Sequence, residues 1–229
     1  CAMIHSDIKA TPHDRVDHPD RWIIAATGLL AGEGPAALTV SRLSRLMGES
    51  RGAFYWHFRD RAALCESVLD RWETRTTPVL VTAADGAGSL GEKFFRVLSA
   101  VLPGGAFDMA LDRSVRAWGT ADDDVAERVL AADLARRAAL AGMFTSAGRS
   151  KVQARHRAHM LYLWLVAVGG HEVLSLDDLI FEIEPFYKVA TGEVLDPATA
   201  SVFLNRTLPD QRCRHPGRGR QAPSAPFGT

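Results

Sequence analysis

Hydrophobic residues recur along this chain mainly at helical spacing. Ile23, Ala26 and Leu30 stand at i, i+3 and i+7, which places them on one face of a helix. No stretch alternates apolar and polar residues in the way that a half-buried β-strand does. The pattern therefore predicts an all-α protein.

Capping and helix-breaking residues set the expected helix limits. Thr39, Ser50 and Asp60 are residue types that cap helix N-termini, and Gly48 suits the left-handed conformation that follows a helix. Pro78 is expected to end the fourth helix, and residues 82–89 are expected to form a loop. The predicted helices span residues 20–32, 39–47, 50–58, 60–76, 90–101, 107–118, 122–147, 149–174, 177–190 and 197–208.

The two ends of the chain differ from its middle. Residues 1–17 lack apolar periodicity and are predicted to be a flexible arm. Residues 207–229 hold four prolines, three glycines and four arginines against one aspartate, which predicts a disordered basic tail. Between them we expect an N-terminal domain over residues 18–77 and a larger C-terminal domain over residues 78–206.

Composition restricts the possible functions. The 27 basic and 27 acidic side chains cancel, so binding to a polyanion requires a local positive patch. The longest apolar stretch, residues 160–170, is too short to span a bilayer, and no secretory signal is expected. Three widely spaced cysteines suit a reducing compartment, so we expect a cytoplasmic protein without a membrane partner.

The most informative segment is residues 39–61, TVSRLSRLMGESRGAFYWHFRDR. It reads as two short helices joined by a turn at Gly48, which is the sequence form of a helix-turn-helix. Val40, Leu43 and Leu46 are expected to anchor the first helix, and Phe54 and Phe58, at i and i+4, the second. The second helix should then present these residues outward: Arg51, Gly52, Tyr55, Trp56 and His57.

This segment is positively charged although the whole chain is neutral. Five arginines against Glu49 and Asp60 give it a charge of +3. Duplex DNA carries about one negative charge per 1.7 Å of its axis and binds such surfaces by releasing counterions. Gly52 is unfavourable in a helix and makes sense where the backbone approaches another surface closely. The segment therefore predicts a helix that enters the major groove.

Residues 21–72 resemble the DNA-binding domain of the tetracycline-repressor-like (TetR) transcriptional regulators. Residues that carry the resemblance are Arg21, Ile24, Ala26, Leu30, Gly34, Leu38, Thr39, Val40, Leu43, Met47, Gly48, Ser50, Gly52, Phe54, Tyr55, Trp56, His57, Phe58, Arg61 and Leu64. A looser resemblance, to one subgroup, continues through Arg116-Ala117-Trp118 and the pattern Val125, Val129, Asp133 and Arg136. The resemblance implies an N-terminal three-helix DNA-binding domain followed by a larger helical domain for ligand binding and dimerisation.

The resemblance also implies residue roles in DNA binding. Thr39 would cap the second helix and meet a phosphate, Arg51, Gly52, Ala53 and Trp56 would face bases, and Tyr55, His57 and Arg61 would contact the DNA backbone. The full predicted DNA-binding set is Thr39, Arg42, Ser50, Arg51, Gly52, Ala53, Tyr55, Trp56, His57 and Arg61. Two alternatives stay open: Tyr55 and Trp56 could be buried against the first helix, and His57 could serve only to cap or pack.

The helix over residues 149–174 predicts a partner subunit. From Met160 to Val168 it is apolar on every face, and such a helix must be buried on every side. We expect a two-fold homodimer through residues of about 150–206, and the resemblance implies that two helices per subunit form a four-helix bundle. The alternative is a central core helix in a monomer.

The resemblance, and not any spacing, motivates a small apolar effector in the second domain. Helices over 90–101, 107–118, 122–147 and 150–174 could enclose its cavity. Candidate lining residues are Phe94, Phe95, Leu98, Phe107, Leu111, Trp118, Phe144, Met160, Trp164 and His171. The alternative for each is simple core packing.

An enzymatic function has little support in the sequence. His156 and His159 stand at i and i+3, but no third metal ligand lies near them, and the acidic run 122–124 suits a helix N-terminus. No cofactor or metal is expected. The sequence predicts a ligand-responsive repressor that binds a palindromic DNA operator as a homodimer. The alternative is a helical small-molecule-binding or catalytic protein without specific DNA binding.

Overall fold

The structure, a computed structural model, describes residues 19–102, 104–168 and 176–207. The predicted arm, most of the predicted tail and the ligand candidate His171 lie outside these residues. The described part of the chain contains helices and turns and no strand, which confirms the all-α prediction. None of its helices is both long enough and apolar enough to cross a membrane.

The helices are α1 to α10 in chain order, and a short 3₁₀ turn at Pro35–Ala37 follows the first. Their bounds are α1 Pro19–Glu33, α2 Val40–Met47, α3 Arg51–His57, α4 Arg61–Asp85, α5 Leu90–Val101, α6 Met109–Trp118, α7 Asp123–Ser146, α8 Lys151–Val168, α9 Leu176–Thr191 and α10 Pro197–Thr207. Helix α5 has the predicted bounds. The other described helix ends lie within a few residues of prediction, except at α4. The predicted C-terminal end of α8, at residue 174, lies outside the described residues.

The predicted caps are present at the three N-termini that frame the helix-turn-helix. The side chains of Thr39, Ser50 and Asp60 accept hydrogen bonds from backbone N–H groups three residues later, at 3.3, 3.1 and 2.8 Å. Gly48 ends α2 with φ 67° in the left-handed region. Since these interactions are local, the sequence alone was enough to locate them.

The predicted end of α4 at Pro78 is wrong. The helix continues to Asp85, with Pro78 exposed in its interior, and the predicted loop over 82–89 shrinks to residues 86–89. Leu80 and Ala84, beyond the proline, are fully buried. Packing of this second half against the core compensates for the missing hydrogen bond, which costs an isolated helix about 3 kcal/mol.

An N-terminal core is built around α1 to α4 and also takes in α6. It includes Trp22, Leu43, Phe54 and Trp72, all completely buried. The anchoring of α3 by Phe54 and Phe58 is confirmed, because Phe58 is only 5% exposed. The expectation that Leu46 anchors α2 is wrong: Leu46 is 61% exposed, since the side of α2 that faces the core carries Leu43 and Ser44.

A C-terminal core is formed by the second half of α4 together with α5 and α7 to α10. It includes Leu80, Phe94, Leu140 and Phe144. Helix α4 contributes Trp72 to the first core and Leu80 to the second, so one continuous helix joins them. Helix α4 is therefore a direct physical connection between the two cores.

A buried polar cluster joins four helices at the boundary between the two cores. The Arg136 side chain of α7 is fully buried and donates to Asp112 of α6 at 2.8 Å and to Thr76 and Thr77 of α4 at 2.7 and 3.0 Å. Its guanidinium also lies over the rings of Trp72 and Phe107. Every nitrogen of this buried cation thus has a polar partner, as a buried charge requires.

A second arginine extends the cluster to α8. Arg116 donates to Asp112 at 2.7 Å and to Asp133 at 2.6 Å, and Tyr162 of α8 donates to Asp133 at 2.6 Å. Burial opposes ionisation of Asp133, but hydrogen bonds from Arg116 and Tyr162 outweigh it and hold the pKa of Asp133 below its usual value. Burial raises the pKa of Tyr162 to about 12. Two arginines and two aspartates leave the cluster without net charge.

Candidate nucleic-acid interface

Helix α3 is attached to the N-terminal core by one face only. The Phe54 ring meets Trp22 edge-on, with the ring centroids 5.4 Å apart, and lies 5.4 Å from the Phe58 ring. The opposite face is open: Trp56 is 87% exposed and Tyr55 58%. The predicted outward orientation of Tyr55 and Trp56 is confirmed, and the alternative in which both are buried is wrong. His57, which was also predicted to point outward, is half-buried.

The other predicted residues of α3 and its caps surround these aromatic side chains. Arg51 and Gly52 are exposed, and Ala53 and His57 are half-buried. A Cβ atom at Gly52 would meet only Ser50 Oγ, at an ordinary contact distance of 3.5 Å. Packing within the protein therefore does not require a glycine at position 52. The missing side chain leaves space only on the outer surface of α3.

Three arginines in or near the helix-turn-helix form ion pairs or hydrogen bonds with other residues of this domain. Arg42 forms an ion pair with Glu33, and Arg59 with Asp60. Arg61 donates from Nε to the carbonyl oxygen of Leu38 at 2.5 Å and from Nη2 to that of Pro35 at 3.1 Å. Arg61 thus ties the start of α4 to the segment before α2 and fixes the position of the helix-turn-helix.

Two exposed arginines of the helix-turn-helix have no ion pair with any residue the structure describes. They are Arg45 of α2 and Arg51 of α3. Arg45 is absent from the predicted DNA-binding set, although its place in the positive segment was a signal for it. Together with Tyr55 and Trp56, these arginines give α2 and α3 a cationic, aromatic outer surface. We call Arg45, Arg51, Tyr55 and Trp56 the α3 surface.

This part of the chain matches a known protein family. Residues 23–68 match the family model described as bacterial regulatory proteins, tetR family. The match covers both helices of the helix-turn-helix. Residues 23–68 are thus similar in sequence to the DNA-binding part of the TetR regulators. No curated protein matches the sequence.

Solved TetR-like structures share the fold over most of the chain. A TetR-family transcriptional regulator from Rhodococcus sp. has 18% identity and a TM-score of 0.59, over 76% of this chain and 98% of that one. A transcriptional regulator from Rhodococcus sp. Rha1 has 16% identity and a TM-score of 0.56, over 82% and 96%. The fatty acid degradation regulator FadR from Bacillus halodurans has 15% identity and a TM-score of 0.55, over 80% and 97%.

The predicted effector-lining residues do not surround one cavity. Phe94, Phe95, Leu98, Phe107 and Phe144 are buried in the C-terminal core. Trp164 is half-buried and packs against the same core, with its ring 4.1 Å from that of Phe186. The other described candidates are separated from them: Leu111 and Trp118 belong to the N-terminal core, and Met160 is 66% exposed. Helix α6 turns most of its apolar face towards α1 and α4, which explains the separation.

The space between α6 and α8, where the effector was expected, is small. A cavity of about 10 Å³ lies there beside Phe107, Arg136 and Tyr162. That volume is enough for about one water molecule. In the state described, side chains therefore fill this region.

Helix α8 has an exposed apolar side away from the core. Met160 and Leu163 are 66% and 53% exposed, whereas Leu161 and Leu165 are buried. The helix is thus not buried on every side by its own subunit. His156 and His159 lie on its exposed side, and the described ranges hold no group of three potential metal ligands.

Proposed function

We propose that the protein is a ligand-responsive transcriptional repressor that binds a palindromic operator as a homodimer. In this role α3 lies in the major groove and α2 crosses the DNA backbone. The observation that carries the proposal is the orientation of the α3 surface, with Trp56 87% exposed on a helix that is anchored by the completely buried Phe54. A large apolar side chain so exposed beside Arg51 suits a partner surface better than solvent.

The proposed roles in DNA binding depend on which arginines have no ion pair among the described residues. Arg51 is placed to contact a base edge and Arg45 to contact a phosphate, since neither has an ion pair among the described residues. Tyr55 and Trp56 would pack on the sugar–phosphate backbone and base edges. Arg61 would act indirectly, because its hydrogen bonds to Leu38 and Pro35 hold the two helices in position.

Dimerisation through α8 and its neighbours is part of the proposal. The exposed side chains of Met160 and Leu163 support it, because a second copy would remove this apolar surface from water. Two-fold symmetry would also let two α3 helices reach successive major grooves, about 34–36 Å apart. A palindromic operator follows from the same symmetry.

Release of the DNA by a small molecule completes the proposal. Helix α4 packs in both cores, so a ligand that shifts its C-terminal half would move the helix-turn-helix. By linkage, a ligand that prefers the shifted state weakens DNA binding by the same factor by which DNA weakens ligand binding. We propose no catalytic activity.

Duplexes selected from a random library by the wild-type protein provide the test. The double variant Arg51→Ala/Tyr55→Ala should lose roughly tenfold or more in affinity for them, measured by fluorescence anisotropy at about 100 mM salt. Arg75→Ala, an exposed arginine of α4 away from the α3 surface, is the matched control and should bind as wild type does. Full binding by the double variant would refute the assignment. Absence of any salt-dependent DNA binding would favour the helical small-molecule-binding alternative.

A further inference from the structure

The described structure has a large opening that shares only α5 with the helices expected to enclose the effector. It is a groove of about 1,160 Å³ between α4, α5, the segment after α5 and α10. Pockets for drug-sized ligands usually occupy about 300–1,000 Å³, so this groove is large enough for a whole small molecule. The space between α6 and α8 is about one hundredth of that size.

One wall and the floor of the groove are apolar. The rings of Phe95 and Phe203 stack with their centroids 4.5 Å apart and attach α10 to α5. Val202, next to Phe203, is 58% exposed and also lines the groove, as does Val79 of α4. These side chains suit the hydrocarbon part of a ligand.

Arg96 gives the groove a cationic group with unused donors. Its Nε donates to the carbonyl oxygen of Ala83 at 3.3 Å. Its Nη2 atom is buried and has no hydrogen-bond partner among the described residues. A Cβ atom at Gly86 would lie 2.8 Å from this Nη2, so the guanidinium fills the space that glycine leaves. Arg96 itself lines the groove, and a carboxylate is the acceptor that best matches a guanidinium.

Glu92 is the one carboxylate among the described lining residues, and it already has a role. Its Oε2 accepts hydrogen bonds from Ser89 N at 2.7 Å and from Ser89 Oγ at 3.0 Å, in the capping box of α5. It therefore does not satisfy the Arg96 donors. A ligand carboxylate at Arg96 would feel repulsion from Glu92, which stands one turn earlier on the same helix.

We propose that this groove binds an apolar monocarboxylic acid, with its carboxylate at Arg96 and its hydrocarbon part along Phe95, Val202 and Phe203. The acid is then the effector: it contacts the C-terminal half of α4 at Val79 and Ala83 and so acts on the helix that also packs beside α3. This second statement rests on the proposed function, whereas binding of the acid does not.

Isothermal titration calorimetry of the full chain tests binding without DNA. The probes are decanoate, decanol and decyltrimethylammonium, which share a hydrocarbon chain and differ in charge. Decanoate should bind most tightly to the wild type. Arg96→Met should weaken decanoate at least about tenfold and leave decanol unchanged, because only the charged partner is removed. Glu92→Gln should strengthen decanoate, since the repulsive charge is lost.

A second variant tests the place of binding. Val202→Trp should fill the groove and weaken decanoate and decanol alike. Val194→Trp, at a more exposed valine outside the groove, should have no effect. Equal decanoate affinity in wild type and Arg96→Met, or no decanoate binding to the wild type, would overturn the proposal. So would full binding by Val202→Trp when circular dichroism shows a folded variant.

Adding decanoate to the DNA complex separates this proposal from the proposed function. Release of DNA from the wild type, but not from Arg96→Met, supports the acid as effector. If decanoate binds through Arg96 but DNA stays bound, the effector assignment is wrong and the binding site stands. If the wild type never binds DNA, the proposed function fails, and the calorimetric result on the groove is unaffected.

Discussion

Arg136 and Asp112 form an ion pair inside the protein, with 2.8 Å between Nη1 and Oδ1 and with the Arg136 side chain fully buried. The two residues come from α7 and α6, and the same aspartate oxygen accepts a hydrogen bond from Trp72 Nε1 of α4 at 2.8 Å. One carboxylate thus joins three helices at the junction of the two cores. The relative position of those cores depends on this cluster.

Removing one member of this pair should destabilise the fold. Arg136→Met removes one of the two cations that pair with Asp112, whose carboxylate is only 4% exposed. We therefore expect the free energy of unfolding to fall by about 3–5 kcal/mol. Urea denaturation measures it. The double variant Arg136→Met/Asp112→Asn should be less unstable than the sum of the single variants. Arg75→Met, at an exposed site, is the control, and equal stability of Arg136→Met and this control would contradict the expectation.

The cluster should also make stability depend on acidity. The pKa of Asp133 lies below its ordinary value of 3.8, so the ionised form favours the folded state. This contribution is complete above about pH 3.8 and is lost as the pH falls through the lower folded pKa. The free energy of unfolding should be measured between neutral pH and pH 2. At the acid end of this range it should fall less steeply for Asp133→Asn than for the wild type. Parallel curves would show that Asp133 does not contribute.

Two neighbouring aromatic residues of α3 should have opposite roles. Trp56→Ala should leave the melting temperature nearly unchanged, because the side chain is 87% exposed, but should weaken DNA binding. Phe54→Ala should cost about 3–5 kcal/mol of stability, since it leaves a cavity next to Trp22. Thermal unfolding and fluorescence anisotropy on the same samples separate these effects. A strongly destabilised Trp56→Ala would mean that the residue packs within the protein.

The proposed dimer should depend on the exposed side of α8. Met160→Glu/Leu163→Glu places two charges on that side and should give monomers in analytical ultracentrifugation. Val166 is a poorer target, because it packs against the C-terminal core, and a charge there would disturb folding. Ile24→Glu, at an exposed apolar site on α1, is the control and should stay dimeric. A dimeric double variant would move the interface elsewhere.

The orientation of α3 could be predicted because it depends on neighbouring residues. Phe54 and Phe58 lie one turn apart, so both face the core, and Trp56 must then point away from it. The caps at Thr39, Ser50 and Asp60 are equally local, as each bond spans three residues. The family resemblance concentrates in the same segment.

The sequence by itself thus determined the all-α fold, the helix-turn-helix and its exposed surface, because helix periodicity and capping act within one or two turns. Only the tertiary structure decided which arginines stay available, since Arg61 bonds to a residue 23 positions away and Arg136 to one 60 positions away. It also decided that α4 continues through Pro78 and that the large groove lies at Arg96 and not between α6 and α8. The physical reason is that ion pairs, packing faces and cavities arise between segments distant in sequence, whose meeting no local pattern encodes.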